Sequence, residues 1–441
     1  MRRKERSIVT TATTGSPFLD ELAWRGLLHQ TAGEDLVQHL ATPGRVGYAG
    51  FDPTSESLTI GNYIPIKLLA HWQRFGHVPL VVVGGGTGLI GDPSGKSAER
   101  QLLSAEQVRA NIEAQRGIYE KVLDFSAGVA NPAEILDNGD WLAPMRYIDV
   151  LRDVGKHFSI NQMMARDSVA TRLREREQGI SYTEFSYMVL QAYDFVALGR
   201  SHGCSVQVGG SDQFGNIVSG IDLMRRMDGR QGYGVTAPLV TRADGGKIGK
   251  TEQGAVWLTA DRTSPYAFHQ YWLNTTDADV TRYLRWFTFL ERDRVETIEA
   301  DHARAPHERA AQHALADHMT ELFHGPTEVE RVNAAAQALF GGDVRGLDDR
   351  TLREVFAEAP HSSVARTALE GEGLSLIDLL AGTTLCASRR EAKQFLGGGS
   401  VQVNGERASA DRRLTTADLL HGRLVLLRRG KKSWHAVEFD A

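Results

Sequence analysis

The sequence predicts an α/β protein: a doubly wound parallel sheet first, then an all-α region, then a small α+β domain. Three observations carry this expectation. Short apolar runs end in glycine-rich loops that open helices, and the unit recurs at least three times. From Pro265 onward the apolar spacing becomes helical. Near the C-terminus, VQVNGE carries the Asn-Gly signal of a tight hairpin.

The chain has 441 residues, 41% hydrophobic and 24% charged, enough for about two to four domains. The formal net charge of −5 excludes a basic nucleic-acid coat. That charge is uneven. Residues 374–441 hold 11 Lys/Arg against 7 Asp/Glu, a net +4, which leaves −9 for residues 1–373. A basic tail on an acidic body points to a local polyanion contact. The two cysteines, Cys204 and Cys386, offer neither metal spacing nor a disulfide framework, as expected of reduced thiols in a cytoplasmic protein. No stretch reaches the length of a membrane span. Residues 1–17 are basic and hydroxyl-rich without an apolar core, which reads as a disordered tail rather than a secretory signal.

Residues 18–42 read as two short amphipathic helices broken at Gly33. Val46–Ala49 is an apolar strand that turns through Gly50 and enters a helix near Gly61. That helix runs to about Phe75, with Pro65 in its first turn and Ile66, Leu69 and Trp72 at helical spacing. Pro79–Val83 is a continuous apolar run suited to a buried parallel strand, and it leads into GGGTGLIGDPSGK. A helix follows over Ala105–Leu123, and a further strand or connection lies near Trp141. Residues 160–195 are mostly helical and place Tyr187, Gln191 and Asp194 on one face. Ser205–Val208 is a third core strand, ending in GGSDQFGN before another helix, and Val235–Val240 a fourth. The expected domains are 18–243 for the sheet with a helical insertion, 244–264 for a loop and connection, 265–345 all-α, 346–373 linker and 374–441 α+β.

Ligands of doubly wound sheets bind at the C-terminal ends of the strands. Loops there carry Asp52, Asp92 and Asp212. One such aspartate is usually a turn or cap residue; three on one edge favour a site. Carboxylates suit an ammonium or ribose hydroxyls and repel phosphate. Phosphate contacts are therefore expected from the N–H groups around Gly61 and from Lys247 and Lys250 in GGKIGKT. That loop is not a phosphate loop of the G-x-x-x-x-G-K-[ST] type, because the first glycine would fall on Asp244. In the tail, Ser388, Arg389, Arg390 and Lys393 share a short helix. Arg428, Arg429, Lys431 and Lys432 lie near a terminal hairpin. Two basic clusters in one small domain point to RNA backbone contact.

These motifs resemble those of the bacterial-type tyrosyl-tRNA synthetases, class I aminoacyl-tRNA synthetases with a Rossmann-like catalytic domain. Thr59-Ile60-Gly61-Asn62 stands where that family carries His-Ile-Gly-His, and Lys247-Ile248-Gly249-Lys250-Thr251 resembles its KMSKS signature. YAGFDPT, GLIGDPSGK, TEFSYMVLQAYD and GGSDQFGN resemble the tyrosyl branch, and the C-terminal region an S4-type RNA-binding domain. The resemblance runs from about residue 18 to the end. TIGNY is also similar to the tryptophanyl enzymes, which makes tryptophan the rival substrate, and the changes at Thr59 and Asn62 make a non-catalytic RNA-binding paralogue the rival class.

The resemblance implies a tyrosine--tRNA ligase that uses L-tyrosine, ATP with Mg2+ and tRNA(Tyr), with no tightly bound cofactor. It implies that Tyr48 and Asp194 bind the substrate phenol, and that Asp92, Tyr187 and Gln191 hold its ammonium. Asp52, Thr54, Gly61, Asp212 and Gln213 would face ATP. Lys247, Lys250 and Thr251 would hold the pyrophosphate moiety, with Lys96 and Arg100 assisting. Thr59 and Asn62 replace two imidazoles with neutral hydrogen-bond donors, and Phe214 stands where the family commonly has Trp. Residues 265–345 would bind the anticodon region. Arg389, Arg390, Lys393, Lys431 and Lys432 would contact RNA. A homodimer with tRNA lying across both subunits is implied as well.

Overall fold

The computed structural model describes residues 14–92, 102–166, 169–170, 173–174, 179–246, 248–251, 254–341, 344–357, 359–430 and 433–440. Most of the expected N-terminal tail therefore lies outside the described residues. Contacts divide the chain into two units. One is built from residues up to Thr263 with Trp272–Phe323, the other from Ser264–Tyr271 with His324 onward. The helical segment 265–345 is thus shared between them.

The first unit is organised on a six-stranded sheet. Its strands are β1 (Gln30–Ala32), β2 (Val46–Phe51), β3 (Val78–Val83), β4 (Glu134–Asp137), β5 (Val206–Gly210) and β6 (Tyr233–Ala237), in the order β1-β6-β5-β2-β3-β4. All neighbours are parallel except β1, which runs antiparallel to β6. Of the parallel strands, β2, β3, β5 and β6 are almost wholly buried, as expected where a sheet is covered on both faces, while the edge strand β4 is not. β1 lies between the two helices expected over 18–42, observed as Pro17–Arg25 and Leu36–Leu40. Trp141 is not in a strand. β4 precedes it, and Trp141 sits in the short helix Gly139–Leu142.

The helix Ile60–Arg74 packs across the sheet. A Cβ on Gly47 would stand 2.8 Å from Trp72 Cε2, so β2 needs glycine there for the helix to approach. The Trp72 indole N–H donates to Val78 O at 3.0 Å, which ties the helix end to β3. The helix begins at Ile60, so Pro65 falls in its second turn rather than its first, and the Gly61 carbonyl loses its intrahelical donor.

The same helix anchors the Trp272–Phe323 segment. Tyr63 stacks on Phe287 at 6.1 Å, meets Phe323 edge-on at 5.3 Å and donates to Phe287 O at 3.0 Å. Lys67 donates to Thr288 O. Arg25 reaches Arg285 O, Thr288 O and Leu290 O at 3.2, 3.0 and 2.9 Å. The Arg25 guanidinium thus meets carbonyls at and just beyond the end of the helix Asp277–Phe287, where the helix dipole favours positive charge.

Of the short strands β7 (Lys250–Thr251) and β8 (Gly254–Ala255), the first holds part of the lysine loop. The second unit holds β9 (His361–Ala365), β10 (Leu374–Ser375), β11 (Val401–Val403), β12 (Glu406–Arg407), β13 (Arg413–Leu414), β14 (Leu424–Arg429) and β15 (Ser433–Asp440). Five of these form a sheet in the order β12-β11-β14-β15-β9, and β10 pairs with β13. The expected Asn-Gly hairpin links β11 to β12. Asn404 takes a left-handed φ of 49°, its Oδ1 accepts from Leu426 N–H at 2.8 Å and its Nδ2 donates to Asp418 O at 2.6 Å. Residues expected as linker instead carry the helix Asp349–Phe356 and β9, which adds to the sheet in parallel with β15. Leu376, Leu380, Leu396, Val401, Val425, Leu427 and Val437 form the core under this sheet.

Candidate active site

The chain leaves β2 toward β3 and β5 toward β6, so the sheet order reverses between β2 and β5. A crevice opens at the C-terminal ends of strands at such a point. A cavity of about 310 Å³ lies there, lined by Tyr48, Asp52, Thr54, Gly61, Asn62, Asp92, Tyr187, Gln191, Asp194, Asp212 and Gln213 among others. Eleven residues singled out from the sequence thus converge, from five separate segments.

At its buried end Tyr48 is 1% exposed, packs edge-on against Phe195 at 5.3 Å, and its hydroxyl has no hydrogen-bond partner. Burial, with the charge of Asp194 nearby, holds that phenol protonated. Asp194 is 4% exposed. It accepts from the Trp141 indole N–H at 2.8 Å and from Asn138 Nδ2 at 3.1 Å. Burial pushes its carboxyl up to about 7, against the pull of those two donors, and the charge of Asp52 adds to the rise.

Asn138, Trp141 and Thr87 were not singled out from the sequence. Asn138 Oδ1 accepts from Gly86 N–H at 2.8 Å, and Nδ2 also donates to Thr87 Oγ1 at 2.9 Å. Thr87 in turn donates to Asp52 Oδ1 at 2.8 Å, and Tyr187 donates to Asp52 Oδ2 at 2.9 Å. The signal for Asn138 and Trp141 was DNGDW, a turn after an apolar run, and for Thr87 the glycine loop GGGTG, both at the same sheet edge as the three aspartates. The glycine loop is needed for this network, since a Cβ on Gly84 would collide with Asp52 Oδ1.

Gln213 binds the middle of the cavity. Its Nε2 donates to Asp92 Oδ2 at 2.8 Å, and its Oε1 accepts from Gln191 Nε2 at 3.2 Å and Asn216 Nδ2 at 2.9 Å. Gln191 Oε1 is buried with no hydrogen-bond partner. Asp212 is held above the ordinary carboxylate range by burial, with a contribution from Asp92. Tyr187 and Asp52 therefore form one hydrogen-bonded group, and Asp92, Gln213 and Gln191 another.

At the open end, Asn62 Oδ1 accepts from the Thr59 backbone N–H at 3.0 Å and from Thr59 Oγ1 at 2.7 Å. This closes a capping box over the helix start. Thr59 also bridges to Trp257, and Ile60 N–H donates to Val256 O at 3.2 Å. Val256 N–H donates to Gly249 O at 2.9 Å, and a Cβ on Gly249 would stand 3.5 Å from Ile60 Cβ. The two signatures, 59–62 and 247–251, are thus neighbours. Lys247, Lys96 and Arg100 lie outside the described residues, and Lys250 and Thr251 are described as backbone only.

Comparison with known proteins agrees with this geometry. The family model for class I tRNA synthetases of the W and Y type matches residues 44–341, and that for the tyrosine--tRNA ligase SYY-like C-terminal domain matches 354–437. A tyrosine--tRNA ligase of Roseiflexus castenholzii is 48% identical over 422 residues, 95% of this chain and 99% of the relative. One from Bacillus caldotenax is 46% identical over 428 residues, 96% of this chain and 99% of the relative. The chain belongs to the tyrosine--tRNA ligase family.

The C-terminally truncated mitochondrial tyrosyl-tRNA synthetase of Aspergillus nidulans shares the fold with a TM-score of 0.66 and 31% identity, over 73% of this chain and 94% of that one. A tryptophanyl-tRNA synthetase of Plasmodium falciparum, at 14% identity and a TM-score of 0.51, shares the fold alone. In the family's C-terminal domain, Arg390 and Lys393 are exposed on the helix Arg389–Gly397. Arg389 is paired with Asp378 at 2.8 Å. Arg429 lies 4.7 Å over the Phe395 ring, while Arg428 is buried against Trp434. Lys431 and Lys432 lie outside the described residues. Phe214 opens the helix Phe214–Asp228, directly after Gln213. No helix among the described residues is long and apolar enough to cross a membrane.

Proposed function

We infer that the chain activates L-tyrosine with ATP and transfers it to the terminal ribose of tRNA(Tyr). The observation that carries the choice of amino acid is the pair at the buried end of the cavity. Tyr48 presents a buried hydroxyl without a partner, and Asp194 a buried carboxylate already bearing two donors. A phenol hydroxyl donates to Asp194 and accepts from Tyr48 at once. An indole N–H donates only, and a phenyl ring does neither. That asymmetry, with relatives at 46–48% identity, disfavours tryptophan.

With the ring so placed, Asp92, Gln191 Oε1 and the Tyr187–Asp52 pair face the ammonium. Asp212 takes the ATP ribose, and Thr54, Gly61 and Gln213 line the nucleotide's path. The tyrosine carboxylate attacks the α-phosphorus, the bond from that phosphorus to the α,β-bridging oxygen breaks, and pyrophosphate leaves under the charge of Lys247 and Lys250 with Thr251 beside them. The terminal ribose hydroxyl then attacks the activated carbonyl and AMP leaves. Positioning and charge stabilisation do the work, without a covalent enzyme intermediate. Mg2+ enters with ATP on its phosphates. Among the described residues no group of three or more His, Cys, Asp or Glu could hold a metal.

Two chains form the working unit in this reading, in the cytoplasm. Tyr147, Ile148, Leu151, Ile160, Met164 and Tyr182 are exposed apolar side chains of the first unit, with Tyr147 and Tyr182 at 62% and 63%. A second copy fits these side chains, because the Tyr147 and Tyr182 hydroxyls are already paired at 3.3 Å. The tRNA lies across both chains, with the C-terminal domain on its backbone through Arg390 and Lys393. Amino-acid-dependent pyrophosphate exchange tests the activity. Exchange with tyrosine, followed by charging of tRNA(Tyr), is expected; exchange with tryptophan alone, or none, overturns it.

A further inference from the structure

We propose that Asn216 is a positioning residue for the substrate ammonium. By donating to Gln213, it fixes the glutamine pair so that Gln191 turns its oxygen, and not its NH2 group, toward the amino group. The proposal rests on the tyrosine-activating reading above, which puts Gln191 on that ammonium, and adds what sets the direction of the amide.

The direction follows from three contacts. Asp92 Oδ2 lies 2.8 Å from one terminal atom of Gln213. Carboxylate oxygens accept, so that atom is Nε2 and Oε1 is on the other side of the amide carbon. Two more side-chain amides converge on Oε1, Gln191 at 3.2 Å and Asn216 at 2.9 Å. An amide oxygen only accepts, so each of them presents its nitrogen. Gln191 therefore spends Nε2 on Gln213. Its own Oε1 is buried without a partner in the protein. Gln191, Gln213 and Asp92 all line the cavity.

An ammonium has protons and no lone pair, so it binds the oxygen of an amide and is repelled by the NH2 group. Gln191 is the right way round only while Gln213 keeps Oε1 toward it. Two neighbours hold Gln213 there. Asp92 takes a proton from Nε2, and Asn216 gives one to Oε1. A bound ammonium also draws on the Asp92 carboxylate, so the hold from that end loosens when substrate arrives. Asn216 then keeps the pair in register. Asn216 is 7% exposed and stands at the third position of the helix Phe214–Asp228, whose N-cap is Gln213. A polar side chain there ordinarily accepts from the N-cap backbone N–H. Here it donates to the N-cap side chain instead, and that helix start has no side-chain cap. Helix capping thus gives no account of this asparagine.

The test is tyrosine-dependent pyrophosphate exchange with two competing fragments. Tyramine keeps the ring and the ammonium; the deamino analogue of tyrosine keeps the ring and the carboxylate. N216L retains much of the volume and removes the donor. KM for tyrosine and Ki for tyramine are expected to rise about five- to ten-fold, the scale of one lost hydrogen bond. Ki for the deamino analogue and KM for ATP should stay within about two-fold, a split that a folding defect would not give. In the Q191A background, N216L should cost less than about two-fold more, because its effect passes through the missing amide. The proposal is overturned if N216L weakens both fragments alike, if it weakens neither, or if the N216L and Q191A losses multiply. N216A removes the same donor and supplies the same comparison where N216L does not fold. Absence of tyrosine-dependent exchange in the unaltered protein would defeat the underlying reading instead.

Discussion

Trp141 donates its indole N–H to Asp194 Oδ1 at 2.8 Å, across 53 residues of chain. This bond stabilises the charged form of a carboxylate that burial pushes up to about 7. W141F removes the donor and keeps most of the ring. The Asp194 carboxyl then titrates higher, so tyrosine binding at pH 7.5 weakens by about ten-fold. The pH at which KM for tyrosine falls should move up by a measurable amount, with KM for ATP within about two-fold. An equal rise in both KM values would assign Trp141 to the fold alone.

Asp194 itself should separate tyrosine from phenylalanine. In D194N the amide must face two donors, Trp141 and Asn138, and loses its capacity to accept from a third. Tyrosine kcat/KM should fall about 100-fold, while the slow activation of phenylalanine stays within about three-fold. Stability gives a second readout. The folded pKa lies above the unfolded value of about 3.9, so the folded chain binds more protons between the two. Stability contributed by this group is present at low pH and is lost as pH rises to about 7. D194N should flatten that slope in unfolding titrations; an unchanged slope would contradict the assignment.

Lys67 carries the opposite sign. It is fully buried, with Nζ on Thr288 O and 4.8 Å from the Phe289 ring centre. Burial first, then the charges of Arg25 and Arg74, hold it well below the ordinary lysine range, with Glu21 acting the other way. The unfolded chain therefore binds the extra proton between the folded pKa and about 10.4. Stability rises with pH across that window, by up to about 1.4 kcal/mol per pH unit. K67M should remove the rise in denaturant titrations between pH 7 and 9. A wild-type slope that matches K67M would mean the ammonium is not held in this way.

The self-association face is tested by I148D. A carboxylate on an apolar interface is costly to bury and should convert a dimer into a monomer in sedimentation at micromolar concentration. Tyrosine binding to the isolated chain should change by less than about three-fold. A monomeric unaltered protein, or a dimeric I148D protein, would remove this face from the account.

For the RNA contact, R390A with K393A should weaken tRNA binding. It should also reduce the slope of log K against log salt by roughly one to two, since each residue meets one phosphate. Adenylate formation should be unchanged. Arg389 is predicted to contribute less than Arg390, because Asp378 already neutralises it. A loss of adenylate formation would contradict separate roles for the two regions.

Much of this was legible in the chain because the signals are local. The apolar runs before Gly50, Gly84 and Gly209 marked β2, β3 and β5. The residue spacing 187, 191, 194 put three site side chains on one helix face. The aspartates at the strand ends were readable for the same reason. What was not legible is non-local. QTA has no apolar alternation and is a strand only because Gln30–Ala32 pair with β6, some 200 residues on. HSSVA is a strand because β15 pairs with it. Asn138 and Trp141 matter through Asp194, which no spacing connects to them. Thr59 and Asn62 are three apart and cap the same helix, but an asparagine at the third position is not the usual glutamate or glutamine of that motif. Pro65 is the sixth residue of a helix that begins at Ile60 and would be the fifth from a start at Gly61, so it lies beyond the first turn either way.

The central claim is that the cavity between β2 and β5 recognises a phenol through Tyr48 and Asp194. A crystal structure with L-tyrosine tests it most directly. The account predicts the substrate hydroxyl within hydrogen-bond distance of both Tyr48 Oη and Asp194, with the ammonium near Asp92 and Gln191. Tyrosine bound the other way round, with its ammonium against Asp194, or bound outside this cavity, would contradict it.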